Sequence, residues 1–273
     1  MGCNDSFLSD LHLYKGLDLD DAKKQHLKYR IEGVKQGALT TKIQGFFDCY
    51  CPHCKRESTF QSEDNINVIY YESYADGKEL KYEYVLLATY CCSRVASHKV
   101  VFFFKNRENS LLKIGQYPSK ADLEGNKLSK YSKVLSSDYI SDLSRAIGLA
   151  SHGIGAGSLV YLRRVFEFLL EEAHQEALKQ NKIDDNQYNT CRVVERIELL
   201  KNFLPDFMVQ NKTIYGILSK GIHELTEEEC LAFFDTLRVS IEMILDEKIS
   251  KNEKEKKRKE ITKNLEKIHS LLK

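Results

Sequence analysis

The hydrophobic period of this chain changes once along its length, and that change limits the folds open to it. From about residue 43 to 105, apolar residues recur at every second position and strand formers dominate. The run Asn65–Tyr74 leads through Ala75-Asp76-Gly77-Lys78 into a segment where Leu80, Tyr82, Tyr84 and Leu86 alternate with Lys81 and Glu83. Asp-Gly between two such runs is a hairpin signal, because the favoured turn needs positive φ at its central residues. A third run, Lys99–Phe104, is so continuously apolar that it predicts a strand covered on both faces.

After about residue 136 the period becomes helical. Leu159, Leu162, Phe166, Leu169, Ala173 and Ala177 share one helix face, opposite Arg163, Arg164, Glu167 and Glu171. Val193, Ile197, Leu200 and Leu204 mark a second helix, predicted to stop near Pro205. Thr226-Glu227-Glu228-Glu229 reads as a capping box opening a long helix through Leu231, Phe234, Leu237, Ile241 and Leu245. Beyond residue 251, Lys and Glu dominate, yet Ile261, Leu265, Ile268 and Leu272 keep helical spacing. The expected class is therefore α+β: an N-terminal antiparallel β module of zinc-ribbon type followed by an all-α helical bundle. Expected boundaries are an N-terminal segment 1–42, a β domain 43–105, a connector 106–135, a helical domain 136–250 and a charged helical tail 251–273.

Charge excludes one class of behaviour. Of 273 residues, 41 are Lys or Arg and 40 are Asp or Glu, a formal net charge of +1, so nucleic acid or membrane can be met only by a local patch. No apolar run is long enough for a membrane span, and the opening MGCNDSFLSD lacks the regions of a signal peptide, which predicts a cytoplasmic protein. Met1-Gly2-Cys3-Asn4-Asp5-Ser6 also fits the myristoylation pattern, with Cys3 as a second acyl site.

Five of the eight cysteines lie between residues 49 and 92. In a reducing compartment such cysteines read as metal ligands or buried core residues rather than disulfides. Cys51-Pro52-His53-Cys54 has the two-residue gap that aims two thiolates at one ion. A closed structural zinc site needs four ligands, and Cys92 with His98 supplies the second pair, at the end of one strand and the start of the next. The preferred set is Cys51, Cys54, Cys92 and His98, with zinc as the cofactor. Cys91 and Cys92 point to opposite faces of a strand, so only one of them ligates. Cys49 remains open as a replacement for one ligand. Cys191 and Cys230 read as small buried hydrophobes.

The helical half offers weaker chemistry. Ser151-His152-Gly153-Ile154-Gly155-Ala156-Gly157-Ser158 precedes a helix and can seat a phosphate on its N-terminus, or can be a tight helix–helix connection with close backbone contact. Arg163 and Glu167 stand at i, i+4, an ion pair in the plain reading. In the sharper one Arg163, Arg164 and Lys220 contact RNA or DNA. His223 beside Glu224 is either an acid–base centre or a helix-flanking histidine. The run Lys256-Lys257-Arg258-Lys259 lacks interleaved aromatics, so base stacking is not indicated there.

Several stretches together resemble a family: Cys51–Cys54, Lys113–Ser119, Tyr161–Glu167 and Ser219–Leu225. Their order resembles bacterial proteins that join an N-terminal zinc ribbon to a C-terminal helical domain of unknown function. That domain is in turn similar to the HEPN superfamily (higher eukaryotes and prokaryotes nucleotide-binding), found beside restriction and phage-defence genes. The resemblance implies two functions. One is a non-catalytic zinc-binding module for nucleic acid or a partner protein, in defence or regulation. The other is a metal-independent ribonuclease toxin acting as a homodimer through its helical domain. Catalytic members use an Arg and a following His with four to six residues between them. Positions 216–218 before His223 are Gly, Ile and Leu, whereas Arg145 and His152 have six residues between them. His223, His152 and Arg145 are the catalytic candidates on that reading.

Overall fold

A computed structural model describes residues 16–18, 28–35, 38–63, 67–76, 79–107 and 110–271. The strands are β1 (Gly16–Asp18), β2 (Lys28–Lys35), β3 (Ala38–Gln44), β4 (Phe46–Cys51), β5 (Arg56–Ser62), β6 (Asn67–Asp76), β7 (Glu79–Cys92), β8 (Lys99–Arg107) and β9 (Ser110–Tyr117). The helices are α1 (Lys120–Leu123), α2 (Gly125–Ser129), a 3-10 turn (Lys130–Lys133), α3 (Ser137–Ser151), α4 (Gly155–Lys179), α5 (Asp185–Thr190), α6 (Val193–Leu199), α7 (Asp206–Gln210), α8 (Thr213–His223) and α9 (Glu227–Leu271). The α+β class read from the sequence is thus observed, an antiparallel sheet followed by helices. The chain divides into two compact units, one running to Lys127 and including Ile147–Ile154, the other comprising Leu128–Ala146 and Gly155–Lys273.

In the first unit β7 organises the sheet. It spans 14 residues and pairs antiparallel with β8 along one edge. Its other edge is shared, with β6 on its first part and β5 on its last three residues. The order is β1-β9-β8-β7-β5-β4, with β6 also on β7, while β2 and β3 form a separate antiparallel pair. Strand periodicity sets the core. Leu86, Ala88, Tyr90 and Cys92 of β7 and Val100, Phe102 and Phe104 of β8 are buried, together with Phe47, Cys51 and Phe60. Phe47 contacts Phe60, Tyr90 and Phe102 at ring-centroid separations of 5.1 to 5.9 Å. Val101 and Phe103, between the buried residues of β8, are half-buried, so the apolar run of this strand is partly covered on its second face. The Gly77-Lys78 turn lies outside the described residues.

The stretch expected to be a connector carries ordered elements. Ser110–Tyr117 adds a strand to β8, and α1 and α2 follow it. Lys113 disguised β9 in the sequence. Its side chain is buried, with Nζ donating to Gln116 Oε1 at 2.5 Å and lying over the Phe102 ring.

In the second unit α4 buries the predicted face: Leu159, Leu162, Phe166, Leu169, Ala173 and Ala177. Both α8 and α9 pack on it. The capping box at Thr226 is present, with Thr226 N donating to Glu229 Oε2 at 2.9 Å and Glu229 N to Thr226 Oγ1 at 3.3 Å. No proline or glycine interrupts α9, which runs unbroken for 45 residues, so the charged tail continues the same helix. The helix at Val193 is shorter than its periodicity suggested. It ends at Leu199, and Leu200 and Leu204 are buried from turns in which Phe203 N and Leu204 N donate to Leu200 O.

Candidate metal centre

Two hairpin ends converge on one point. The first is the β4–β5 turn. Cys51 closes β4, Pro52–Lys55 form the turn, and Arg56, paired with Cys51, opens β5. Lys55 N donates to Cys51 O at 2.8 Å, Cys54 N points at Cys51 Sγ at 3.4 Å, and Lys55 takes φ +55°, the left-handed conformation that lets the chain leave the turn. The second is the β7–β8 turn, where Cys92 N donates to His98 O and His98 N to Val95 O, both at 2.9 Å. Because Cys92 pairs with Phe60 on β5 and Ser93 N donates to Thr59 O, this turn runs toward the same end of the sheet.

The four donor atoms of Cys51, Cys54, Cys92 and His98 all lie within 4.8 Å of one another. Cys54 Sγ is 3.9 Å from Cys92 Sγ and 3.2 Å from His98 Nδ1, and Cys51 Sγ is 3.8 Å from His98 Nδ1. A tetrahedral ion with ordinary zinc–ligand lengths has edges of about 3.8 Å between sulfurs and about 3.6 Å from sulfur to nitrogen. These three separations lie within about 0.4 Å of those edges, so the group can hold a metal ion. Cys51 and Cys92 are buried and belong to the aromatic core, whereas Cys54 and His98 are half-buried. The exposed His53 ring stacks on His98 with centroids 4.9 Å apart.

The thiols are unequal. Burial opposes ionisation of Cys92, but donors around its sulfur, the Arg94 and Val95 amides foremost, outweigh it and bring the thiol down to about 7. Cys54 is pushed up to about 11, first by burial and then by Cys51 and Cys92. One thiolate therefore discourages the next, and a cation in their midst removes that conflict.

The cysteines left open in the sequence are placed elsewhere. Cys91, on the opposite face of β7, donates its thiol to Glu63 Oε1 at 3.0 Å, and Lys99 Nζ closes on the same oxygen at 2.6 Å. Burial and then Glu63 raise the Cys91 thiol to about 11. Cys49 is half-buried, packs against the sheet core outside the four-donor group, and is raised to about 12 by burial first and then Glu57. Cys230 is buried and donates to Gly221 O, while Cys191 is half-buried. Cys3 and the Gly2 acylation pattern lie outside the described residues.

Of the helical candidates, Arg145 and Arg164 meet at Asp142. Arg145 donates to Asp142 Oδ1 from within α3, and His152 follows the last residue of that helix with its side chain exposed. His223 is the exposed final residue of α8. Lys220 is paired with Glu224 at 3.7 Å. Arg163 is engaged by Glu167 Oε1 at 2.7 Å and by the Tyr215 hydroxyl at 3.0 Å. Arg164 turns instead toward Asp142. A cleft of about 760 Å³ beside α4 and α9 is lined by none of these residues.

The glycine-rich stretch is a close helix contact. A Cβ on Gly155 would stand 2.5 Å from Glu227 O and 2.7 Å from Cys230 Cβ. The first amides of α4, those of Gly155 and Ala156, donate to the Glu227 carboxylate, the Ala156 bond at 3.0 Å. The acceptor on this helix N-terminus is the chain's own side chain. Among the described residues no helix is long and apolar enough to cross a membrane. Compared with protein-family models, with curated proteins and with solved structures, the chain finds no match.

Proposed function

We propose that this protein is a zinc-binding, non-catalytic module: a zinc-ribbon-like β domain joined to a helical domain that takes a nucleic acid, RNA or DNA. The observation that carries the reading is the convergence of three thiols and one imidazole at tetrahedral spacing. Soft sulfur donors with a single imidazole select zinc over the harder divalent ions. Four protein ligands close the coordination shell, which leaves no position for a reacting water and makes the ion structural. Its role is to tie two hairpins that share only a short strand contact.

The ribonuclease reading is the weaker one. Arg145 is held by Asp142, and His223 ends a helix beside an ion-paired Lys220. What favours nucleic acid in the helical domain is the exposure of Arg145 and Arg164 on neighbouring helices.

The test is zinc content of the purified protein by mass spectrometry, followed by gel-shift titration with single-stranded RNA and duplex DNA. About one zinc per chain and salt-dependent binding without cleavage uphold the proposal. Metal-free protein that is stably folded removes the zinc half, and RNA cleavage removes the non-catalytic half.

A further inference from the structure

Asp142 is a carboxylate placed where carboxylates rarely stay without compensation. It lies within α3 with its side chain 1 % exposed. Arg145, one turn along, donates from Nη1 to Oδ1 at 3.3 Å. From α4, Arg164 brings Nε to 3.2 Å from Oδ2. That second approach has the distance of an ion pair without the alignment of a hydrogen bond, so Oδ2 has no hydrogen-bond partner.

One cation would balance this carboxylate, and two are present. The cluster carries one surplus positive charge. Both guanidiniums lie over the Tyr161 ring, their central carbons 5.8 Å (Arg145) and 5.7 Å (Arg164) from its centroid. Ring and carboxylate together restrict long side chains that would otherwise move freely in solvent. Yet the side chains remain 58 % and 52 % exposed. A guanidinium has five N–H donors, and with one aimed at Asp142 about four remain on each arginine for an outside acceptor.

We propose that Arg145 and Arg164 form a phosphate clamp, set by Asp142 beneath and Tyr161 alongside. The ligand is a phosphate oxyanion, from a nucleic-acid backbone or from a small phosphorylated molecule, and the backbone source rests on the binding function proposed above. The surroundings give the clamp a direction. A cleft of about 310 Å³ on one flank of Arg164 is lined also by Glu167 and Glu171, whose charges repel phosphate. The anion therefore belongs on the Arg145 side. Arg163 provides an internal contrast: it is the neighbour of Arg164 in sequence, but two of its donors go to Glu167 and Tyr215 and its side chain is only 26 % exposed.

The test uses the whole 273-residue chain in its zinc-loaded form and two probes. A fluorescein-labelled single-stranded RNA is followed by anisotropy across salt concentrations, and inorganic pyrophosphate is followed through the arginine Nε–H signals by NMR. Arg145→Ala and Arg164→Ala are each expected to weaken RNA binding by about tenfold and to lower the salt slope by about one. Arg145→Lys and Arg164→Lys keep charge and stem but lose the fork, and a loss of about threefold is expected. These variants decide the matter if the alanine variants do not fold. Arg163→Lys stays within about twofold of wild type, since its partners are internal. RNA binding that both clamp variants leave unchanged overturns the clamp while the nucleic-acid function stands. Pyrophosphate binding lost in the variants, with no RNA bound by any sample, upholds the clamp, assigns it a small phosphorylated ligand and removes the nucleic-acid function. Failure of wild type to bind either probe overturns both.

Discussion

The Cys54 sulfur lies 3.2 Å from His98 Nδ1 although 44 positions separate the two residues. No strand ladder pairs these residues, so the proximity rests on two turns ending at one place. Replacing Cys54 or Cys92 by Ser, or His98 by Ala, is expected to reduce bound zinc from about one per chain to near zero and to broaden thermal unfolding of the β unit. Cys49→Ser and Cys91→Ser keep full zinc. Mass spectrometry of the native protein separates the two groups, and zinc lost on Cys91→Ser would assign the wrong sulfur.

Zinc binding is expected to weaken as pH falls, because the thiols must lose protons to ligate. Without metal, Cys54 sits at about 11 and is fully protonated near neutrality, so binding displaces at least its proton. Affinity should fall by at least about tenfold per pH unit between pH 8 and 6, measured by chelator competition. The metal-free protein adds two opposite trends. The depressed Cys92 thiol, at about 7, contributes stability that is complete above about 9 and is lost as pH falls through about 7. The raised Cys54 thiol costs stability as pH rises from about 9 toward 11.

Two glycines make unequal contacts. At Gly155 an added methyl meets backbone, at 2.5 Å from Glu227 O and 2.9 Å from Leu231 N, so a helix must move. At Gly221 it meets Leu159 Cδ1 at 2.4 Å, the end of a side chain that can rotate. Gly155→Ala should destabilise by about 2 to 3 kcal/mol, and Gly221→Ala by about 1 kcal/mol or less after the helix-propensity gain is counted. Urea denaturation ranks them, and the reverse order would mean that the α4–α9 contact yields more readily than its backbone contacts imply.

Glu227 acts for two helices: it opens α9 and its carboxylate accepts the first amides of α4. Glu227→Ala removes that acceptor and should cost about 1 to 2 kcal/mol. Glu227→Gln, which keeps a carbonyl oxygen but not the charge, should recover part of the loss. Equal losses in both would show that charge, rather than acceptor geometry, dominates.

The four-donor group was legible in part because strand alternation decides which of two adjacent cysteines faces inward, and β7 obeys it through Leu86, Ala88, Tyr90 and Cys92. The buried face of α4 was legible for the same kind of reason. The Asp142 cluster was not. A carboxylate at a helical position reads as a solvated face, and no local pattern joins Asp142 to Arg164 across a helix connection. The sequence paired Arg163 with Arg164, whereas helix geometry turns adjacent residues about 100° apart and sends them to different partners. β9 was hidden by Lys113, whose burial depends on Gln116 and the ring of Phe102.

The separation of the two ligand pairs also sets an order of events during synthesis. Cys51 and Cys54 leave the ribosome well before Cys92 and His98. At about 5 to 20 residues per second the 44-residue delay lasts about 2 to 9 seconds. For most of it, until Cys92 emerges, the nascent chain displays a half-formed group of two donors, with Cys49 close by in sequence as a competing sulfur. β7, which must pair on both edges to bring the second pair home, is translated inside that interval. Metallation of such a group is thus a race between strand pairing and capture of the early thiols by another metal or an oxidant.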